Sequence, residues 1–250
     1  MSFSIMLNDS FSYAKEGVWG KWKNWFFLIV SLIIFPLILG YVIRIYRGEK
    51  PVPELKNWGM MFIDGIKLLI VSLVYAAPII LLVVAAFLPF MSAFISSGAL
   101  SLDFTTMTPA QTEQWMTSQP QLMSATILMV MILLVAAIVT IVITIFSFIG
   151  TVRFARTGRI REGFNFSEIL SHIGRIGWLT YIAALIIIGI IGIIFWMLLH
   201  VFMFIPVIGE VVFLIVALVL YPPFILFVSC YAALVYERGE PAAATVLAEP

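Results

Sequence analysis

The sequence is short of charge. Only 11% of its 250 residues are Asp, Glu, Lys or Arg, against about 25% in ordinary globular domains. A water-soluble chain of this length cannot hide the 63% of its residues that are hydrophobic, so the solvent for most of it is lipid. A net charge of +1 gives no global pull toward nucleic acid. The single cysteine, Cys230, excludes an internal disulfide and a multi-cysteine metal site. Phosphate-binding glycine loops, His-Glu-x-x-His and Gly-x-Ser-x-Gly are absent. No ionisable residue lies deep inside an apolar run, where proton- and ion-coupled transporters usually carry one. No cleavable signal peptide is expected, because the first apolar run follows Lys15, Lys21 and Lys23 and lacks a small-residue cleavage site. The expectation is a protein without catalytic residues, cofactor or metal.

What the chain has in quantity is long apolar runs. They are Trp25–Ile43, interrupted by Pro36, then Leu68–Phe90, Leu122–Ile149, Trp178–Leu199 and Val211–Tyr236. Each reaches the roughly 20 residues that cross a bilayer as a helix, and continuous runs of this kind exclude a barrel. The expected fold is an all-α polytopic bundle. It has four full transmembrane helices and an N-terminal segment that either folds back at Pro36 or makes a fifth span. Residues 3–18 read as an amphipathic helix, with Phe3, Leu7, Phe11, Ala14 and Val18 at helical spacing. With Trp19, Trp22 and Trp25 interleaved by Lys21 and Lys23, residues 1–24 form an interfacial anchor. Residues 25–236 form a single membrane domain, and 237–250 a tail.

Basic residues crowd two connectors, 44–67 and 150–176, and are missing from 91–121 and 200–210. The positive-inside rule places the first pair and the C-terminus in the cytoplasm of a cell-membrane protein. A hairpin at Pro36 would put the N-terminus there too, and with it all 14 Lys and Arg. The apolar length of Trp25–Ile43 favours a crossing instead.

The two basic connectors look alike. Gly40-Tyr-Val-Ile-Arg44-Ile-Tyr-Arg47-Gly48 parallels Gly150-Thr-Val-Arg153-Phe-Ala-Arg156-Thr-Gly158. A short amphipathic stretch follows each, marked by Trp58 and Phe62 in the first and by Phe166, Leu170 and Ile173 in the second. This is a weak internal duplication of about 25–90 onto 122–200, on one membrane face, with 211–236 as a final span. Asn165 ahead of Glu168 resembles a capping box. Such a duplication favours full crossing of the first segment.

These residues resemble a family of prokaryotic, mainly archaeal, membrane proteins, domain of unknown function 4013. The likeness lies in Gly40–Gly48, Pro53–Trp58, Phe62-Ile-Asp64-Gly65-Ile-Lys67, Tyr75 before Pro78, and Phe154–Phe166. It covers the chain from about Asp9 to Gly239 and implies no activity.

Three groups are candidates for function. Arg44, Arg47, Arg153, Arg156 and Arg159 sit where helices leave lipid. Their guanidinium forks suit phosphate oxygens of anionic lipid headgroups, although flanking charge alone would also put them there. Trp58, Phe62 and Lys67 mark an interfacial element that could meet lipid or a membrane or cytoplasmic partner protein. Thr140, Thr144, Ser147 and Thr151 form one helix face that either packs helices or lines a path for a neutral solute. Gly189 and Gly192 are small enough to admit a neighbouring helix. Self-association is compatible with all of these, and nucleic acid is not an expected partner.

Overall fold

The computed structural model describes residues 2–102 and 106–241. Part of the expected outer connector (103–105) and of the expected tail (242–250) lies outside the described residues. The helices are α1 (Phe3–Val18), α2 (Trp22–Ile33), α3 (Phe35–Tyr46), α4 (Trp58–Ser96), α5 (Pro109–Thr117), α6 (Pro120–Thr157), α7 (Phe166–Ile176), α8 (Trp178–His200) and α9 (Gly209–Glu237). No strand occurs among the described residues. Four helices are long and apolar enough to cross a membrane: α4, α6, α8 with its extension to Phe204, and α9. The chain is an all-helical, polytopic membrane protein.

The first apolar segment is not one helix. It is α2 and α3, 12 residues each. That is about 18 Å of rise apiece, well short of a hydrocarbon core of roughly 30 Å. The break falls at Ile34. Pro36 lacks an N–H and its ring clashes with the carbonyl four residues back, which stops α2. The same proline is tolerated in the first turn of α3. Lys21–Phe27, at the start of α2, and Val52–Trp58, just after α3, line a common cleft. The pair therefore returns on itself as a helical hairpin.

The expected interfacial stretch around Trp58 and Phe62 is not a separate element. It is continuous with the following span in the 39-residue α4. The second copy does separate: Gly177, at φ +91°, stops α7 before α8 begins. Nothing at the corresponding place in α4 enforces a left-handed residue, so the helix runs on.

The helices group into two compact units, residues 1–72 with 145–250, and residues 73–144. The second unit holds the remaining lengths of α4 and α6 together with α5. Its helices expose apolar side chains such as Leu81, Leu88, Ile127 and Ile138, as lipid-facing helices do. The expected helix start at Thr108-Pro109 is present as a capping box. The Thr108 hydroxyl accepts from the Gln111 N–H while the Gln111 side-chain oxygen accepts from the Thr108 N–H.

The first unit is built around the C-terminal half of α9. Every residue from Ser229 to Tyr236 is buried, so this stretch is enclosed on all sides. Small residues there (Ser229, Cys230, Ala232, Ala233) let neighbours approach closely. Helix α1 packs along it, but through Met6, Ser10, Tyr13, Ala14 and Gly17. The expected face is shifted in part: Ala14 and Val18 are buried as expected, whereas Phe11 is 64% exposed. A Cβ at Gly17 would lie 2.4 Å from a Leu226 methyl. Helix α3 crosses the start of α4 backbone to backbone, where a Cβ at Gly40 would fall 1.7 Å from the Met61 carbonyl oxygen, and one at Gly65 equally close to that of Pro36.

Candidate functional site

The two Arg-x-x-Arg stretches meet. The last turns of α3 and α6 leave carbonyls without helical donors, and each stretch caps the other. Arg47 Nε donates to the Ala155 carbonyl at 3.2 Å, and Arg156 Nε donates to the Tyr46 carbonyl. In both cases the acceptor is the residue just before the opposite arginine. Each guanidinium then reaches a carboxylate, Arg47 to Asp64 and Arg156 to Glu237, at 2.9 and 2.8 Å. Arg156 also lies over the Tyr236 ring. Its terminal nitrogens crowd Gly48, where φ is +84° and a Cβ would sit 3.1 Å away. We call this reciprocal pair the arginine clasp.

Arg153, Arg44 and Arg175 are likewise engaged within the chain. Arg153 grips Glu162 with both Nε and Nη2, at 3.0 and 2.6 Å. That hydrogen bonding, chiefly, holds the Glu162 carboxyl below the usual range. Arg44 donates to the Glu54 carbonyl. Arg175 donates to the Gly239 carbonyl and touches His172 Nδ1. His172 is buried, stacks on Tyr236 with centroids 4.0 Å apart, and bonds the Tyr236 carbonyl through Nε2. Burial pushes the His172 pKa down. The forks expected to face phosphate are thus engaged with the chain's own carbonyls and carboxylates, since helix ends at a membrane surface need donors first. Arg159 differs: it is exposed and forms no ion pair among the described residues.

Lysines make the more open basic feature. Lys21, Lys23 and Lys56 line a cleft of about 630 Å³ with Asn24, Phe27 and Trp58. The aromatic pair meets edge to face, with centroids 5.7 Å apart, and the Trp58 indole donates to the Leu55 carbonyl. Lys21 pairs with Glu16 at 3.7 Å between half-exposed side chains, and Lys56 with Glu54 where both are largely exposed. Such pairs exchange readily for another anion. Lys23 forms no ion pair among the described residues. The lysines were legible as flanking charge, but their convergence from positions 35 apart was not, because it depends on the hairpin.

The remaining candidates fall elsewhere. Phe62 is exposed, and Lys67 pairs with Asp64. The hydroxyls of Thr140, Thr144 and Thr151 each donate to the carbonyl four residues earlier, the last to Ser147. Thr140 and Thr144 are exposed, Ser147 and Thr151 half-buried. Nothing lies within 4 Å of where a Cβ would stand on Gly189 or Gly192, so the close helix approaches are at Gly17, Gly40 and Gly65 instead. Cys230 is buried. A contact missed by sequence is that of Trp25, whose indole N–H donates to the Val219 carbonyl at 2.9 Å. Pro223 leaves that carbonyl without its helical donor, a signal readable in the sequence, although the donor was not.

A family model described as "Protein of unknown function (DUF4013)" matches residues 25–205. No curated protein matches, and no solved structure does.

Proposed function

Because the chain belongs to the DUF4013 family, whose description names no activity, we propose its role from geometry: a non-enzymatic membrane scaffold or accessory subunit whose cytoplasmic basic face engages anionic lipid headgroups. The observation that carries this reading is the lysine cleft. Lys21, Lys23 and Lys56, against the single acid Glu54 among the described lining residues, share an open cleft with Phe27 and Trp58, a mix of basic and aromatic groups of the kind found at the headgroup level. The hairpin supports a cytoplasmic N-terminus, since it returns Lys21 and Lys23 to the end that carries Lys56. The reciprocal arginine bonds support an internal duplication on that face, each copy closing the helix end of the other. No comparable feature favours a solute path, because the threonine hydroxyls bond their own helix.

Lipid co-purification tests the reading. Lipids carried through detergent extraction would be quantified by mass spectrometry for the wild type and for Lys21→Gln/Lys23→Gln/Lys56→Gln. Each basic residue near an anionic surface contributes on the order of 1 kcal/mol. The triple variant should therefore lose most of its enrichment in acidic phospholipid, and the wild type should lose its own at high salt. An unchanged acidic fraction in the folded triple variant would refute the reading.

A further inference from the structure

A second concavity in the first unit shares no lining residue with the lysine cleft. It is a groove of about 580 Å³ between the N-terminal helices and the pair α8–α9. Its walls are aromatic and aliphatic, among them Phe11, Trp19 and Trp25 on one side and Ile191, Phe195 and Phe224 on the other. Among the described residues, the only charged one in its lining is Lys15.

The groove forms for a local reason. Pro222 and Pro223 interrupt the hydrogen-bond ladder of α9, and Trp25 reaches across to the freed Val219 carbonyl. That contact spaces α2 from α9 at the level of Leu220 and Pro223, both of which line the hollow. Phe195 and Phe224 stack with centroids 3.9 Å apart and fix the far wall.

We propose that this groove holds one hydrocarbon chain of an anionic membrane lipid, with the headgroup against Lys15. Three observations select that occupant. Two walls belong to helices long and apolar enough to span a membrane, so the groove opens where hydrocarbon is the solvent. Trp19 and Trp22 are exposed beside it, as aromatic side chains are at the headgroup boundary. Lys15 forms no ion pair among the described residues, so its charge at the edge of an apolar slot complements an anionic head on an apolar tail. The site is separate from the lysine cleft and rests only on the chain's being embedded in a membrane.

Native mass spectrometry of the protein in detergent, titrated with phosphatidylglycerol or phosphatidylcholine, reads the proposal directly. The wild type should retain one phosphatidylglycerol more tightly than phosphatidylcholine. Lys15→Gln should weaken phosphatidylglycerol retention about fivefold, the factor one basic residue supplies at an anionic surface, and leave phosphatidylcholine unchanged. Leu220→Trp, which fills the groove from its exposed wall, should displace both lipids. A photoreactive acyl chain should cross-link to α1, α8 or α9 in the wild type only. Lys21→Gln/Lys23→Gln/Lys56→Gln should leave this retained lipid in place, so failure of the headgroup reading and failure of this one are distinguishable. Equal retention of the two lipids, or retention insensitive to Leu220→Trp in a variant that keeps the wild-type elution volume, overturns the proposal. So does a wild-type dimer that Leu220→Trp converts to a monomer with no lipid bound, which would make the groove a contact between copies.

Discussion

Replacing Arg156 by Met keeps an unbranched apolar side chain of similar length and removes the guanidinium, which also lies over the Tyr236 ring. Two charge-assisted contacts are lost, one to the Tyr46 carbonyl and one to Glu237. Hydrogen bonds to charged groups contribute about 1.5–3 kcal/mol each. The Arg156 and Glu237 side chains are 21% and 32% exposed, so solvent screening discounts the second contact, and a total of about 3 kcal/mol is expected. For proteins of this size 1 kcal/mol moves the unfolding midpoint by about 2–4 °C, which gives a drop of about 6–12 °C. The assay is apparent thermal unfolding in detergent at one fixed scan rate. Arg47→Met should cost less, because its side chain is more exposed. The double variant should cost less than the sum of the singles, since each arginine caps the helix end that positions the other. Arg159→Gln, which removes no paired group, should stay within about 0.5 kcal/mol of the wild type. A midpoint for Arg156→Met within about 2 °C of the wild type, or strict additivity with Arg47→Met, would show that the clasp does not hold the two helix ends together.

Gly40→Ala should abolish the monodisperse elution peak of the folded protein, because its Cβ meets the Met61 carbonyl, which cannot move aside. Gly189→Ala, facing open space, should elute as the wild type does. Trp25→Phe should cost about 1–3 kcal/mol by stranding the Val219 carbonyl, seen as a lower melting midpoint. In a Pro223→Ala background that carbonyl regains its helical donor and the same change should cost little. His172 is a weaker base in the folded chain than in the unfolded one, so the unfolded state takes up the proton first. Its stabilisation is complete above about pH 6.5 and is lost as pH falls below that. His172→Gln should flatten the fall in melting midpoint between pH 7 and pH 5, and an equally steep fall would assign the dependence to other groups.

The spans were legible because hydropathy and helix length are local properties. So were the starts at Thr108 and Asn165, where the caps use side chains within three residues. Pro36 announced a break, and the structure supplies the return that charge alone favoured. What could not be read were contacts that depend on which helices neighbour one another. The arginine motifs were visible, but that Arg47 would serve Ala155, and Arg156 would serve Tyr46, requires the helix ends to be adjacent. The face of α1 was read only in part, for a related reason. Spacing identified Ala14 and Val18, which are buried, but also Phe11, which is exposed, and it passed over Ser10 and Gly17, which the small-residue stretch of α9 admits.

The proposed basic face requires the hairpin to bring both ends of the segment Trp25–Ile43 to one side of the membrane. Impermeant thiol labelling in sealed cells tests this most directly, in a Cys230→Ala background. Single replacements Lys21→Cys, Lys56→Cys and Gly158→Cys should be protected until the cells are opened. Gln111→Cys and Pro206→Cys should label at once. Immediate labelling of Lys21→Cys while Lys56→Cys remains protected would mean that the segment crosses the membrane, and would rule out the shared basic face.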